Sequence, residues 1–242
     1  MRHLKILLLQ ARNAGDTARR DELESFARAC SLDIDRIATH DLLEGPPSLP
    51  EIRAHDALMV GGSGEYYVSQ RNLPQFDALL EVLGEVALVG HPTFASCFGF
   101  QLLVEALGGD ILHDPDNTEV GTYPLELTPE GRADPLFGSL PKTFMAQLGR
   151  KDRASRMPDG VANLAASERA PFQALRIPGQ PVWASQFHPE LDREANLCRF
   201  KRYLDGYAAH LNEEELQIAF AGYRESPEAS RLLGRFLALV FG

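Results

Sequence analysis

Cysteine, positive charge and long apolar runs are all scarce in this 242-residue chain, and each scarcity excludes something. The three cysteines, Cys30, Cys97 and Cys198, are an odd number at irregular spacing, which fits neither a disulfide framework nor a zinc pattern. A reducing, cytoplasmic setting suits such a chain. With 24 Lys and Arg against 34 Asp and Glu, the formal net charge is −10. A surface of that sign repels phosphate backbones and anionic lipid, so no nucleic acid and no membrane is expected as a partner. The opening MRHLKILLLQ is apolar for only a few residues before Gln10, Arg12 and Asn13, too short for a signal peptide or a membrane span. Repeats and low-complexity tracts are missing too. The histidines His3, His40, His55, His91, His113 and His210 show no ligand spacing with cysteines or carboxylates, so no metal site is expected.

What remains is the composition of an ordinary soluble protein, 44% apolar and 24% charged, long enough to bury a large core. The ILLL run ending at Leu9 reads as a strand buried on both faces, as in a parallel sheet. Asp16 to Ala29 reads as a helix, with Leu23, Phe26, Ala27 and Cys30 on one face. Further strands are expected at 32–37, at 57–60 (stopped by Gly61 and Gly62) and at 86–89, with a helix over 73–83. From Thr118 to Pro181 short alternating runs and Pro-Gly turns indicate a more antiparallel stretch, before 182–187 returns to the core. This rhythm predicts an α/β fold, a doubly wound, mostly parallel sheet with helices on both faces. Ser226-Pro227-Glu228 reads as a helix start. The stripe Leu232, Leu233, Phe236, Leu237 and Val240 that follows either packs on the domain or docks a second copy or a partner.

In such sheets ligands gather beyond the carboxyl ends of the strands, and three segments stand there. The first is HPTFASCFGFQLLVEALGG, from His91 to Gly109. A buried strand runs into Cys97 and a helix runs out, a turn that exposes a nucleophile on strained backbone. Only small neighbours are tolerated, and Ala95 and Gly99 lie two residues to either side. The helix amino terminus favours negative charge on the sulfur. Cys30 and Cys198, each on a helical apolar face, read as core packing. The second segment is VWASQFHPEL, where His188 and Glu190 are two residues apart and so point to one side of an extended chain. His188 can take the thiol proton while Glu190 orients the imidazole. The third is MVGGSGEYY, whose glycines let backbone N–H groups face a ligand. Gly62 and Phe98 N–H together could form an oxyanion hole, each donor worth about 3 kcal/mol in the transition state.

ASCFGFQLL resembles the nucleophile motif of the class I, triad-type glutamine amidotransferases, and SQFHPEL resembles their His-x-Glu motif. LGGDI, Glu119 with Gly121, DRASRMPDGVANLAAS and PFQALRI follow that family in order and spacing. The resemblance covers roughly residues 5–205 and is strongest to free-standing domains similar to the glutaminase half of GMP synthase. It implies one domain over 1–205, with 206–242 a helical extension packed on it. It implies a γ-glutamyl thioester on Cys97 with His188 and Glu190 completing the triad, oxyanion donors at Gly62 and Phe98, and no cofactor. It also implies that Gln101, with Gly61, Ser63 and Gly149, lines a glutamine pocket. Three positions depart from the pattern: Ala95 replaces a glycine, Ser63 stands where the glycine pair is usually followed by proline, and Arg150 lies near a usual histidine before Asp152. About forty helical residues follow the motif region, too few for an ATP-pyrophosphatase domain. Three functions are therefore open. The chain is a glutaminase passing ammonia to a separate synthase subunit. Or it is a hydrolase of another γ-glutamyl compound, as Arg150 suggests. Or it is a binding module without turnover.

Overall fold

The computed structural model describes residues 3–204 and 212–242. Its centre is a nine-stranded sheet of two halves. In the parallel half, β1 (Ile6–Ala11) lies between β2 (Ile37–Asp41) and β3 (Ala57–Ser63), and β4 (Thr93–Ser96) and β11 (Val182–Ser185) follow, giving the order β2-β1-β3-β4-β11. The sheet continues antiparallel through β10 (Ala174–Arg176), β9 (Ala162–Ala166), β6 (Glu119–Leu127) and β7 (Thr143–Arg150). A separate ribbon pairs β5 (Asp110–His113) with β8 (Asp152–Arg156).

β1 is apolar from Ile6 to Leu9 because both of its faces are covered. Ile6 and Leu8 pack on one side with Phe26 and Cys30 of α1 (Ala18–Cys30) and with Leu233 and Phe236 of α8 (Leu232–Phe241). Leu7 and Leu9 pack on the other with Leu79 and Leu83 of α3 (Phe76–Leu88) and Leu102 of α4 (Phe98–Ala106). The alternation of a strand thus places helices on both faces. Short helices α2 (Leu49–Arg53) and α5 (Pro129–Ala133) fill connections, and α6 (Arg193–Arg202) and α7 (Glu213–Gly222) follow the last strand. The antiparallel half curls back: the carbonyl of Gln147 on edge strand β7 accepts a hydrogen bond from His188 N–H, just past β11, at 2.9 Å.

Several expectations from the sequence need correction. Residues 86–88 complete α3 rather than form a strand; Leu79, Leu83, Val86 and Ala87 are buried at helical spacing, and a short apolar run alone does not separate the two readings. The fourth strand is Thr93–Ser96, directly before Cys97. Residues 34–36 form a 3-10 turn and β2 begins only at Ile37, the first buried side chain of that stretch. β3 runs through Gly61 and Gly62 to Ser63. Ser226 does not cap α8. Its hydroxyl accepts from Gln147 Nε2 at 3.0 Å, and a 3-10 turn at Ala229–Arg231 leads into the helix. Cys198 is exposed, unlike Cys30. The division expected between residues 205 and 206 lies outside the described residues.

The stripe on α8 packs into the core. Phe236 is fully buried, edge-on to Phe94 at 5.7 Å and to Trp183 at 5.8 Å. Phe236→Ala is expected to cost about 3–5 kcal/mol of unfolding free energy. A loss under about 1 kcal/mol in urea titration would show that α8 does not anchor the sheet.

Candidate active site

β3, β4 and β11 are neighbours, and their carboxyl ends bring the three predicted segments together. Cys97 joins β4 to α4 with φ 52° and ψ −101°, a conformation that costs a residue carrying a Cβ roughly 1–3 kcal/mol. Two neighbours hold it. Cys97 N–H donates to Ser185 O at 2.8 Å, tying the turn to β11. Gly99 lets α4 approach β3 closely, since a Cβ there would lie 2.8 Å from Val60 O. Phe98 N–H opens α4, where an N–H has no partner within its own helix. The sulfur itself is 3.7 Å from Gln186 Nε2 and 4.0 Å from Gly149 O.

His188 and Glu190 leave β11 on one side of the chain, and His188 Nδ1 lies 2.7 Å from Glu190 Oε1. A proton on Nδ1 donated to this carboxylate leaves Nε2 as the nitrogen open to Cys97, with which the imidazole interacts electrostatically. Burial alone would lower the His188 pKa, but attraction to Cys97 and Glu190 outweighs it and lifts it to about 9. Burial opposes ionisation of Glu190 as well. His188 and Arg199 overcome that and hold the carboxyl below its ordinary range.

The two expected oxyanion donors differ in this conformation. Gly62 N–H is already engaged, donating to Glu22 Oε1 at 3.2 Å. Glu22 is fully buried and pairs with Arg12 Nη2 at 2.8 Å. A Cβ on Gly62 would sit 3.1 Å from His188 Cε1, so the glycine leaves room for the imidazole. Gly61 packs on the Glu22 carboxyl, where a Cβ would come within 2.8 Å of Oε1.

The other predicted residues are near but differently engaged. Gln101 Nε2 donates to Asp152 O and to Gln186 Oε1, both at 3.0 Å, so it reaches Cys97 through Gln186. Ser63 Oγ donates to Tyr66 O at 2.5 Å. Ser63 and Gly149 line a cavity of about 30 Å³ with His188, Arg199 and Tyr203. That is room for one or two waters beside the imidazole. Arg150 is buried and pairs with Glu119 on β6, which also accepts from Gln173 Nε2 at 2.7 Å. Its charge is therefore matched by Glu119. Burial pushes the Cys30 thiol pKa up, leaving it unsuited as a nucleophile. Among the described residues no group of three or more His, Cys, Asp or Glu gathers as metal ligands, and no helix is long and apolar enough to cross a membrane.

The glutamine amidotransferase class-I family model matches residues 26–198. The chain belongs to that family. The glutamine-hydrolysing GMP synthase of Thermosipho melanesiensis is 35% identical over 100 residues, 41% of this chain and 18% of that protein. In Methanocaldococcus jannaschii, one subunit of a glutamine-hydrolysing GMP synthase is 30% identical over 100 residues, 41% of this chain and 51% of its own length. The matched stretch thus spans a fifth to a half of these relatives. A glutamine amidotransferase from Thermotoga maritima shares the fold, with a TM-score of 0.73 at 16% identity over 100% of both chains. One from Methylobacillus flagellatus has a TM-score of 0.70 at 15% identity, covering 98% of this chain and 95% of the other.

Four polar residues around this amidotransferase site were not singled out from the sequence: Gln186, Glu22, Arg12 and Arg199. Gln186 had a signal, because 186, 188 and 190 share the period-two spacing of an extended chain. Glu22 interrupts the apolar face of α1, four residues before Phe26. Arg12 and Arg199 carry no local mark, since their partners come from distant segments.

The raised His188 pKa has a defined pH signature. Its stabilising contribution is fully present below the ordinary value of 6.5 and is lost as pH rises through about 9. By NMR the imidazole of the folded protein is expected to titrate near pH 9, and in Cys97→Ala at clearly lower pH. An unchanged midpoint in the variant would rule out charge coupling between the two side chains.

Proposed function

We propose that this amidotransferase hydrolyses the side-chain amide of glutamine to glutamate and ammonia, the ammonia passing to a separate synthase subunit. The observation that carries the reading is Cys97 on a strained strand-to-helix turn, tied through its N–H to the end of the strand that delivers the His188–Glu190 pair. In the proposed course the sulfur of Cys97 attacks the amide carbon and the C=O electron pair moves onto oxygen. Phe98 N–H faces that oxyanion, joined by Gly62 N–H once it leaves Glu22. As the tetrahedral species collapses, the C–N bond breaks and imidazolium His188 protonates the departing nitrogen, releasing ammonia and leaving a γ-glutamyl thioester. Water then gives a proton to His188 and adds to the thioester carbon. The C–S bond breaks, glutamate leaves and Cys97 is restored with the histidine proton.

The synthase partner is supported by the likeness to a chain that is itself one subunit of a GMP synthase, and a cytoplasmic setting by three free cysteines. Mixing the purified chain with glutamine is expected to give glutamate and ammonia in equal amounts. Cys97→Ser should lower kcat at least about 10³-fold, and Glu190→Gln about 10²- to 10⁴-fold. Glutamate released from γ-glutamyl amines but not from glutamine would move the substrate within the γ-glutamyl class. Turnover surviving Cys97→Ser would remove the thioester.

A further inference from the structure

We propose that Arg199 is a positioning residue of this hydrolytic site: one guanidinium on α6 is shared between Glu190 of the triad and Glu22, the carboxylate that holds Gly62 N–H. This rests on the hydrolytic reading above but is carried by separate contacts. Arg199 Nη1 lies 3.7 Å from Glu190 Oε1, and Nη2 lies 3.7 Å from Glu22 Oε1. Both carboxylates are fully buried, while the arginine side chain is 13% exposed. Two anions without solvent repel strongly unless a cation stands between them. Arg12 also pairs with Glu22, at 2.8 Å. Among the described residues, Arg199 alone pairs with both carboxylates.

The third contact of Arg199 bears on the tautomer. Nη1 sits 3.4 Å from His188 Nδ1. Arginine has no acceptor, and Nδ1 already gives its proton to Glu190 at 2.7 Å, so this contact is a packed edge rather than a hydrogen bond. It confines the ring on the Glu190 side. The placement follows from local sequence. Asp192 caps α6 by accepting from Ala195 N–H at 2.8 Å, which starts the helix shortly after the triad carboxylate. Asn196 and Phe200 bury the face of α6 that neighbours Arg199.

Arg199 acts chiefly on the charge of Glu190, whose surroundings are few. Close by are His188, Arg199 and the thiol of Cys30, with Glu22 and Arg12 beyond the guanidinium. On the outer side Arg28, Asp192, Arg231 and Arg235 line an open cleft, where water screens them. Replacing Arg199 removes a cation next to Glu190, so the carboxylate protonates at higher pH and the acid limb of activity moves up.

The test follows the rate of Cys97 alkylation by iodoacetamide against pH in the full chain, located by peptide mass spectrometry because Cys198 is exposed. Ammonia release from glutamine is measured on the same samples. Arg199→Gln is expected to shift the acid limb of Cys97 alkylation upward by about one pH unit, with kcat following and KM unchanged. Arg199→Lys should stay within about threefold of wild type, because the cation remains. Glu22→Gln leaves Arg199 wholly to Glu190 and should move the limb to lower pH, an outcome independent of whether Arg199→Gln folds. A wild-type limb in Arg199→Gln, or one unmoved in Glu22→Gln, would reduce Arg199 to a clamp for α6. Should wild type release no ammonia while the alkylation limb still shifts, the substrate reading fails and the role of Arg199 stands.

Discussion

At Cys97 the chain turns from a buried strand into a helix through φ 52°. A residue with a Cβ stays there only because its surroundings forbid the alternatives. The N–H of Cys97 is tied to Ser185, the last residue of β11, and His188 follows shortly beyond that tie. One hydrogen bond therefore fixes Cys97 and His188, the proposed nucleophile and base, against each other. The parallel register does the rest: Ser96 pairs with Ser185 and Ala95 with Val60, so the ends of β3, β4 and β11 fall at one level. The site is a consequence of strand pairing in the middle of the sheet, and the strain at Cys97 is offset by the packing of α4 on β3.

Around this frame lies a chain of buried charges: Arg12, Glu22, Arg199, Glu190 and His188. It connects the loop after β1, the first helix and the helix after the triad to a single imidazole. Such a network adds little net stability, because desolvation consumes most of the attraction. What it provides is position and charge. It favours the ionised forms of Glu190 and His188 although both are buried. It also occupies Gly62 N–H, the donor proposed for the oxyanion, in this conformation. The same segment packs on the end of α6, since a Cβ on Gly64 would meet Tyr203 Oη at 2.7 Å.

The parallel half and the chemical residues were largely legible in the sequence, for a physical reason. Doubly buried strands write continuous apolar runs, and a strand-to-helix nucleophile turn demands small residues such as Ala95 and Gly99 at fixed offsets. What failed to show were features set by long-range contacts. The stretch 86–88 is apolar in either reading, and only packing made it helix. Gly62 looked available because nothing local reveals that Glu22, far back on α1, meets it. Arg150 looked like an intruding charge because Glu119 pairs with it only across the β6–β7 ladder. Arg199 was one of several charges on a helix until its neighbours were known.

The central claim is that Cys97, held by this frame, is a nucleophile facing a γ-glutamyl pocket. A glutamine-like chloroketone incubated with the protein tests it most directly, the adduct being located by peptide mass spectrometry. The account predicts modification at Cys97, suppressed by glutamine, with Cys30 untouched and any reaction at exposed Cys198 indifferent to glutamine. Modification of Cys198 with Cys97 left unreacted would contradict it.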